Sequence, residues 1–137
     1  MNMQKIFENE FVHTYFDVNT KMAKNIWKEQ SQELTEAQFK DILIQLQSAI
    51  FSHPATTLLL DVRLFKFVIE PEVQEWVSAY VMVNYTKNGI TKIASILPSS
   101  IFERVSLQQT IDENITERAL QRAHFDDEDQ AKAWLLA

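Results

Sequence analysis

The stretch TEAQFKDILIQLQSAIFSHPATTLLLDV, residues 35–62, contains a well-marked helix followed by a buried strand, and it decides the fold. Thr35 is a preferred N-cap residue and Gln38 follows three residues later, which is the spacing of a capping box. Apolar residues then recur on one helical face, at Phe39, Ile42, Leu43, Leu46, Ala49 and Ile50. Pro54 closes this helix. The run TTLLLDV (56–62) is apolar without alternation, which is typical of a central strand buried on both faces.

Before this stretch, the sequence predicts a β-hairpin. Residues 10–16 (EFVHTYF) alternate weakly between two faces, and residues 22–28 (MAKNIWK) alternate in the same way. Turn-forming residues lie between them, at Asp17, Asn19 and Thr20. Two alternating segments joined by a short polar turn indicate an antiparallel strand pair.

After this stretch, a second helix and a second central strand are expected. Pro71 suits the first turn of a helix, where its missing N–H costs no hydrogen bond. The predicted inward stripe of this helix consists of Val73, Trp76, Val77, Tyr80 and Val81. Gly89 stands where a left-handed C-cap would end the helix. The run KIASILP (92–98) then forms the second central strand, which Pro98 stops.

The last third of the chain completes the alternation of strands and helices. Residues 99–118 suggest one or two short helical pieces, and LQRAHF (120–125) predicts a last strand. Asp126 is the expected N-cap of a terminal helix, whose stripe is Ala131, Trp134 and Leu135. The order β-β-α-β-α-β-α-β-α predicts a single α/β domain over residues 1–137. Its mixed sheet would have four to five strands, with helices packed on it.

Composition excludes several classes of site. The 137 residues include one glycine and no cysteine. A dinucleotide fingerprint needs three spaced glycines and a P-loop at least two, so neither can be built. The lack of cysteine excludes disulfide scaffolds, thiolate zinc sites and iron–sulfur clusters. No cofactor is therefore expected.

Charge and hydropathy indicate the class of partner. The net charge of −6 argues against nucleic acid or an anionic membrane as the main partner, because both require a basic surface. No apolar run reaches the length of a membrane span, so no membrane insertion is expected. Residues 1–10 do not have the layout of a signal peptide. We therefore expect a cytoplasmic protein.

Four local sequences carry a resemblance to a known family: TTLLLDVR (56–63), EPEVQEW (70–76), KIASILP (92–98) and HFDDEDQAKAWL (124–135). Together with the element order, they resemble the STAS / SpoIIAA-like domain of anti-sigma-factor antagonists and sulphate transporters, in particular small bacterial SpoIIAA-like (STAS/SEC14-type) proteins. The resemblance spans roughly residues 10–137. It implies the SpoIIAA-like sandwich and a non-enzymatic regulatory or protein-interaction role.

The resemblance also implies where a regulatory serine would stand. In anti-sigma antagonists it lies at the start of the helix after the central strand, where phosphorylation adds charge. Residues 69–73 (IEPEV) contain no serine or threonine, and Ser78 lies well inside the helix. A phosphoserine switch is therefore not expected. Glu70 and Glu72 could mimic a permanently charged state, although acids are common in a first helical turn.

Asp61 and Arg63 are candidate binding residues, because they lie at the carboxyl end of the buried strand, where open α/β sheets place their ligand crevice. They could orient a small polar ligand or a partner's backbone. The alternative is an internal ion pair or a loop anchor.

The loop RLFKFVIE (63–70) is unusually apolar for a connection. Phe65 and Phe67 could fill the core beneath the second helix. Alternatively, the loop could form a protein interface, or residues 64–69 could form a lid over a small apolar, lipid-like ligand.

The second helix is apolar around much of its circumference in AYVMVNY (79–85). A surface helix should show one apolar stripe, so Met82, Val83 and Tyr85 need a second contact. This pattern predicts a homodimer through the helix of residues 73–87.

Other constellations favour structural roles. His13, His53 and His124 are scattered without metal-ligand spacing, and no G-x-S-x-G motif surrounds a serine. The acids of residues 126–129 fit helix capping better than a calcium loop. The sequence therefore predicts a non-enzymatic interaction domain, and a small apolar-ligand carrier related to the SEC14-type proteins is the alternative.

Overall fold

The computed structural model describes residues 3–102 and 120–137. Its six strands form one mixed sheet in which spatial order follows chain order. The strands are β1 (Met3–Glu8), β2 (Val12–Asp17), β3 (Met22–Trp27), β4 (Thr57–Asp61), β5 (Lys92–Ile96) and β6 (Gln121–Phe125). Strands β1 to β3 pair antiparallel, whereas β3 to β6 run parallel. The carboxyl ends of β3 to β6 therefore share one edge of the sheet.

The helices connect these strands. A 3-10 helix (Glu29–Glu33) precedes α1 (Glu36–Phe51), and α4 (Glu128–Leu136) follows β6. Residues 99–102 are also helical. Between β4 and β5, three segments follow one another without interruption: α2 (Pro71–Trp76), a π-helical segment (Val77–Met82) and α3 (Val83–Lys87). We call residues 71–87 the composite helix.

Helix α1 forms as its sequence predicts. The Thr35 hydroxyl accepts a hydrogen bond from the Gln38 N–H at 3.2 Å, and the Gln38 side chain accepts one from the Thr35 N–H at 2.9 Å. These two bonds are the reciprocal capping box. The predicted apolar face is buried, except that Ala49 is only half-buried.

Two apolar layers cover the two faces of the sheet. The larger core lies against α1 and the composite helix, and the smaller one lies against α4. Adjacent residues of β4 enter different layers, with Leu58 in the larger core and Leu59 in the smaller. This arrangement confirms that β4 is buried on both faces, and it explains why its sequence does not alternate.

The predicted α/β fold class is confirmed, with one strand more than the sequence indicates. Strand β1 was not predicted, because the first ten residues lack a clear alternation. Among the described residues it pairs only with β2, half of its residues are exposed, and its register shifts between Lys5 and Phe7. A bulged edge strand has only one neighbour to satisfy, so its hydrophobic pattern is weak.

Two boundaries differ in detail from the sequence expectation, and one position agrees with it. Asp127, not Asp126, is the N-cap of α4, where its carboxylate accepts a hydrogen bond from the Gln130 N–H at 3.0 Å. The second central strand ends at Ile96, two residues before Pro98. Gly89 has φ +95° directly after the composite helix, as a left-handed C-cap requires. Most of the predicted helical pieces of 99–118 lie outside the described residues.

The predicted inward stripe of the composite helix is wrong at Tyr80, whose exposed fraction is 42%. The other stripe residues agree with the prediction, since Val73 and Val81 are buried and Trp76 and Val77 pack half-buried against the larger core. Tyr85 is buried as well. In a regular α-helix, Val73 and Val81 would point about 80° apart. The π-helical segment holds an extra residue in its turn and brings both valines to the same face. The extra residue turns Tyr80 outward.

Candidate interaction site

The carboxyl end of β4 carries a closely bonded ion pair. Asp61 is the last residue of the strand and is buried, whereas the Arg63 side chain is partly exposed. The Asp61 carboxylate accepts hydrogen bonds from Arg63 Nε at 3.0 Å and Nη2 at 2.7 Å, and from the Arg63 backbone N–H at 3.2 Å. The hydrogen bond to Asp61 raises the pKa of Arg63 above its ordinary value. The chain is thereby held in a fixed turn as it leaves the sheet.

Glu128 connects this pair to two lysines. It lies in the first turn of α4, and its carboxylate contacts Lys24 Nζ at 3.0 Å and Lys132 Nζ at 2.9 Å. Arg63 Nη2 lies 3.8 Å from the same carboxylate. Burial opposes ionisation of Glu128, but the hydrogen bonds from Lys132 and Lys24 outweigh it, and its pKa is lowered. The network therefore stabilises the fold above the ordinary glutamate pKa, and this contribution is lost as the pH falls through the lowered value.

A shallow cavity of about 330 Å³ opens beside the ion pair. Its lining combines the Asp61–Arg63 pair with three large apolar side chains, which are Ile26, Trp27 and Leu64. Apolar walls with one charged group at the rim are suited to anchoring a side chain or a small molecule.

Residues 63–70, which we call the strap, run from β4 to the composite helix, and burial alternates along residues 64–70. The side chains of Phe65, Phe67 and Ile69 pack against the larger core. The side chains at 64, 66, 68 and 70 are exposed. Leu64 is 52% exposed and Val68 is 74% exposed. The strap therefore presents apolar side chains to solvent even though three of its eight residues are anchored in the core.

Hydrogen bonds hold the strap in place. The Lys66 backbone N–H donates to the Ser31 hydroxyl at 2.9 Å, and Lys66 Nζ donates to the Glu29 carboxylate at 2.9 Å. At the other end, Gln74 Nε2 donates to the Ile69 carbonyl at 2.9 Å. The strap is thus fixed to the 3-10 helix and to the composite helix, although it pairs with no strand among the described residues.

An aromatic cluster lies beneath the strap. Phe67 stacks on Phe39 of α1 with 4.8 Å between ring centroids. Phe65 contacts Trp27 edge-on at 5.0 Å. Both phenylalanines predicted as binding candidates therefore fill the core, which is one of the two roles that their sequence left open.

The other candidate residues lie along the composite helix. Glu70 is its N-cap and Glu72 lies in its first turn, and both side chains are exposed. Met82 is half-buried against the larger core. Tyr85 is buried and meets Phe51 edge-on at 5.7 Å, and this burial raises its pKa. Tyr85 therefore belongs to the core, and the outer surface of the helix is formed by other residues.

The structure brings Asp61 and Arg63 together with residues that the sequence analysis did not select. Ile26 and Trp27 line the cavity, and Lys24 and Glu128 are separated by 104 positions in the chain. One signal was available, because Lys24 lies on the same strand face as Met22 and Ile26. A lysine among apolar neighbours on one strand face indicates an acidic partner above it.

The arrangement is suited to binding more than to proton transfer. The carboxylates of Asp61 and Glu128 both accept hydrogen bonds from cations, which hold them in a fixed orientation. Over residues 3–102 and 120–137, no three His, Asp or Glu side chains converge as metal ligands would.

No helix in the described ranges combines the length and apolar character that a membrane crossing requires.

Comparison with known proteins gives one match. A family model described as SpoIIAA-like matches residues 26–136, which is most of the chain. The matched region begins in β3 and includes the strap, the composite helix and α4. No curated protein and no solved structure matches significantly.

Proposed function

The chain belongs to the SpoIIAA-like family, and from this premise we propose that it is a non-enzymatic regulatory or protein-interaction domain of the STAS type. Its partner binds at the carboxyl edge of the parallel strands, over the strap and the neighbouring cavity. The observation that carries this proposal is the fixed exposure of Leu64 and Val68.

The composition of this edge supports a protein partner. Protein interfaces have an apolar centre and a polar rim. Here the exposed Leu64 and Val68 supply the apolar contacts, and the exposed Arg63, Lys66 and Glu70 stand before, between and after them as the polar contacts. Because the strap is already anchored, binding costs little loop-ordering entropy.

Control of this domain does not use the family's phosphoserine. The first turn of α2 carries Glu72, and Glu70 precedes it as the N-cap, so this helix start holds two carboxyl groups without phosphorylation. We propose that regulation comes from the choice of partner or from self-association, and that the protein works in the cytoplasm.

Site-specific photo-cross-linking tests the proposal. A photoreactive amino acid at position 68 should cross-link to one partner in the native cell, whereas the same group at Val18 should not. Val18 is a matched control, because it is 64% exposed and lies in the β2–β3 turn at the opposite edge of the sheet.

A second measurement gives the proposal a quantitative test. The double variant Leu64→Ser, Val68→Ser should weaken binding of the cross-linked partner at least about tenfold, as expected for two central apolar contacts. Val18→Ser should bind like the wild type. Equal binding by all three proteins would refute the strap as the interface. A lipid-like ligand that native mass spectrometry detects on the purified protein would favour the alternative of an apolar-ligand carrier.

A further inference from the structure

The outer face of the composite helix carries an exposed apolar ridge. Tyr80 is 42% exposed and Val83 is 43% exposed. The Tyr80 ring stacks on Trp76, one turn earlier, with 5.3 Å between centroids and 28° between planes. We call Trp76, Tyr80 and Val83 the ridge. Tyr80 and Val83 face away from the core, because Val73, Val81 and Tyr85 occupy the inner face, whereas Trp76 is half-buried and also packs against the larger core.

Contacts from α1 hold the ridge in position. Lys40 of α1 places its ammonium group 5.4 Å from the centre of the Trp76 ring. Asn84, next to Val83, donates to the Gln47 side chain of α1 at 2.9 Å. These contacts fix the composite helix against α1, so the ridge is a preformed surface.

Charges mark the two ends of the same face. Glu72 lies at the amino-terminal end and Lys87 at the carboxyl-terminal end, and both are exposed. Within the described part of the chain, neither forms an ion pair. The face is thus acidic at one end, apolar in the middle and basic at the other end.

We propose that this face binds a second copy of the chain, with the two composite helices antiparallel across a two-fold axis near Ala79 and Tyr80. This arrangement places Glu72 of each protomer opposite Lys87 of its partner. Trp76 of each protomer then meets Val83 of its partner, and the small Ala79 of one protomer leaves space for the Tyr80 ring of the other. The face is therefore complementary to itself, as an isologous interface requires.

The charges select this orientation. Parallel helices would place Glu72 against Glu72 and Lys87 against Lys87, which is repulsive at both ends. Antiparallel helices replace both repulsions by attractions and also oppose the two helix dipoles. Because one helix face from each protomer forms the contact, we expect a dimer with a micromolar dissociation constant.

Sedimentation velocity over a micromolar concentration series tests the dimer. Glu72→Lys and Lys87→Glu should each weaken dimerisation about tenfold, because each converts two attractions into repulsions. The double variant Glu72→Lys, Lys87→Glu should restore dimerisation to about the wild-type level, and Tyr80→Glu should abolish it. Glu10→Lys changes the net charge as Glu72→Lys does, but in the exposed connection between β1 and β2, outside the ridge, and should have no effect.

Rescue by the double variant also excludes a folding effect. Both single changes place unfavourable charges at the helix ends, so their effects on stability add in the double variant. Recovered dimerisation cannot then arise from recovered stability. A monomer at all concentrations, or a dimer that responds to neither charge reversal, overturns the proposal.

This inference does not depend on the partner site at the strap. Leu64→Ser, Val68→Ser should leave the dimer intact, whereas Tyr80→Glu should leave the strap partner bound. The two proposals can therefore fail separately.

Discussion

Helix α1 and the composite helix lie side by side on the same face of the sheet, yet they reach the core by different means. Helix α1 is a regular α-helix with a reciprocal capping box. The composite helix begins without a side-chain cap and contains a π-helical segment. They contact each other through Phe51 and Tyr85 and through Gln47 and Asn84.

The difference shows how a π-helical segment can change which residues of a predicted apolar stripe a helix buries. In α1, the apolar spacing already matches the helical period, so regular geometry buries every large apolar residue of the stripe. In the composite helix, the π-helical segment absorbs one residue and brings Val73 and Val81, which would otherwise lie about 80° apart, closer to one line. That adjustment buries Val81 and leaves Tyr80 on the surface.

Deletion of one exposed residue from each helix should give the largest contrast. Removing Gln45 rotates the second half of α1 by about 100° and takes Leu46 and Ile50 out of the core, which should cost about 4 kcal/mol or more. Removing Ala79 should convert the π-helical segment into α-helix and keep Val73 and Val81 on one face. The unfolding free energy of the variant without Ala79 should therefore change by about 1 kcal/mol or less.

Urea unfolding monitored by circular dichroism measures the unfolding free energy of both deletion variants. Equal losses in the two variants would show that the π-helical segment does not set the register of the composite helix.

Truncation of one large side chain in each helix should give an intermediate contrast. Leu46 is fully buried in α1, so Leu46→Ala should destabilise the protein by about 2–5 kcal/mol. Tyr80→Ala removes an exposed ring and should cost about 1 kcal/mol or less. Thermal unfolding should be measured where the protein is monomeric. If Tyr80→Ala destabilised the protein as much as Leu46→Ala does, this result would contradict the outward position of Tyr80.

The helix starts should give the smallest contrast. Thr35→Ala removes the capping box of α1 and should cost about 1 kcal/mol. Glu70 caps α2 only through its backbone carbonyl, which accepts from the N–H groups of Val73 and Gln74. Glu70→Ala should therefore change the unfolding free energy by about 0.3 kcal/mol or less. A larger effect at Glu70 than at Thr35, measured by urea unfolding, would reverse the comparison.

Most elements of the fold were predictable because their signals are local. The capping box of Thr35, the doubly buried run of β4 and the left-handed Gly89 each depend on residues close in the chain. Strand β1 escaped prediction because an edge strand with a bulge carries no clean alternation.

The candidate site was predictable only in part. The position of Asp61 and Arg63 at a strand end follows from the sequence, and so does the apolar character of the strap. The partners of this pair do not, because Lys24 and Glu128 come from β3 and α4 and meet only when the sheet is assembled.

The sequence by itself determined the family, the order of elements after β1 and the ends of α1, because capping, alternation and helical period act over a few residues. The tertiary structure decided which residues face outward, at Tyr80 on the composite helix and at Leu64 and Val68 on the strap. The physical reason is that packing against the sheet selects the conformation that buries the most apolar surface. That selection can add a π-helical turn, as in the composite helix, or hold an irregular segment such as the strap in place. Neither feature follows from the local sequence pattern.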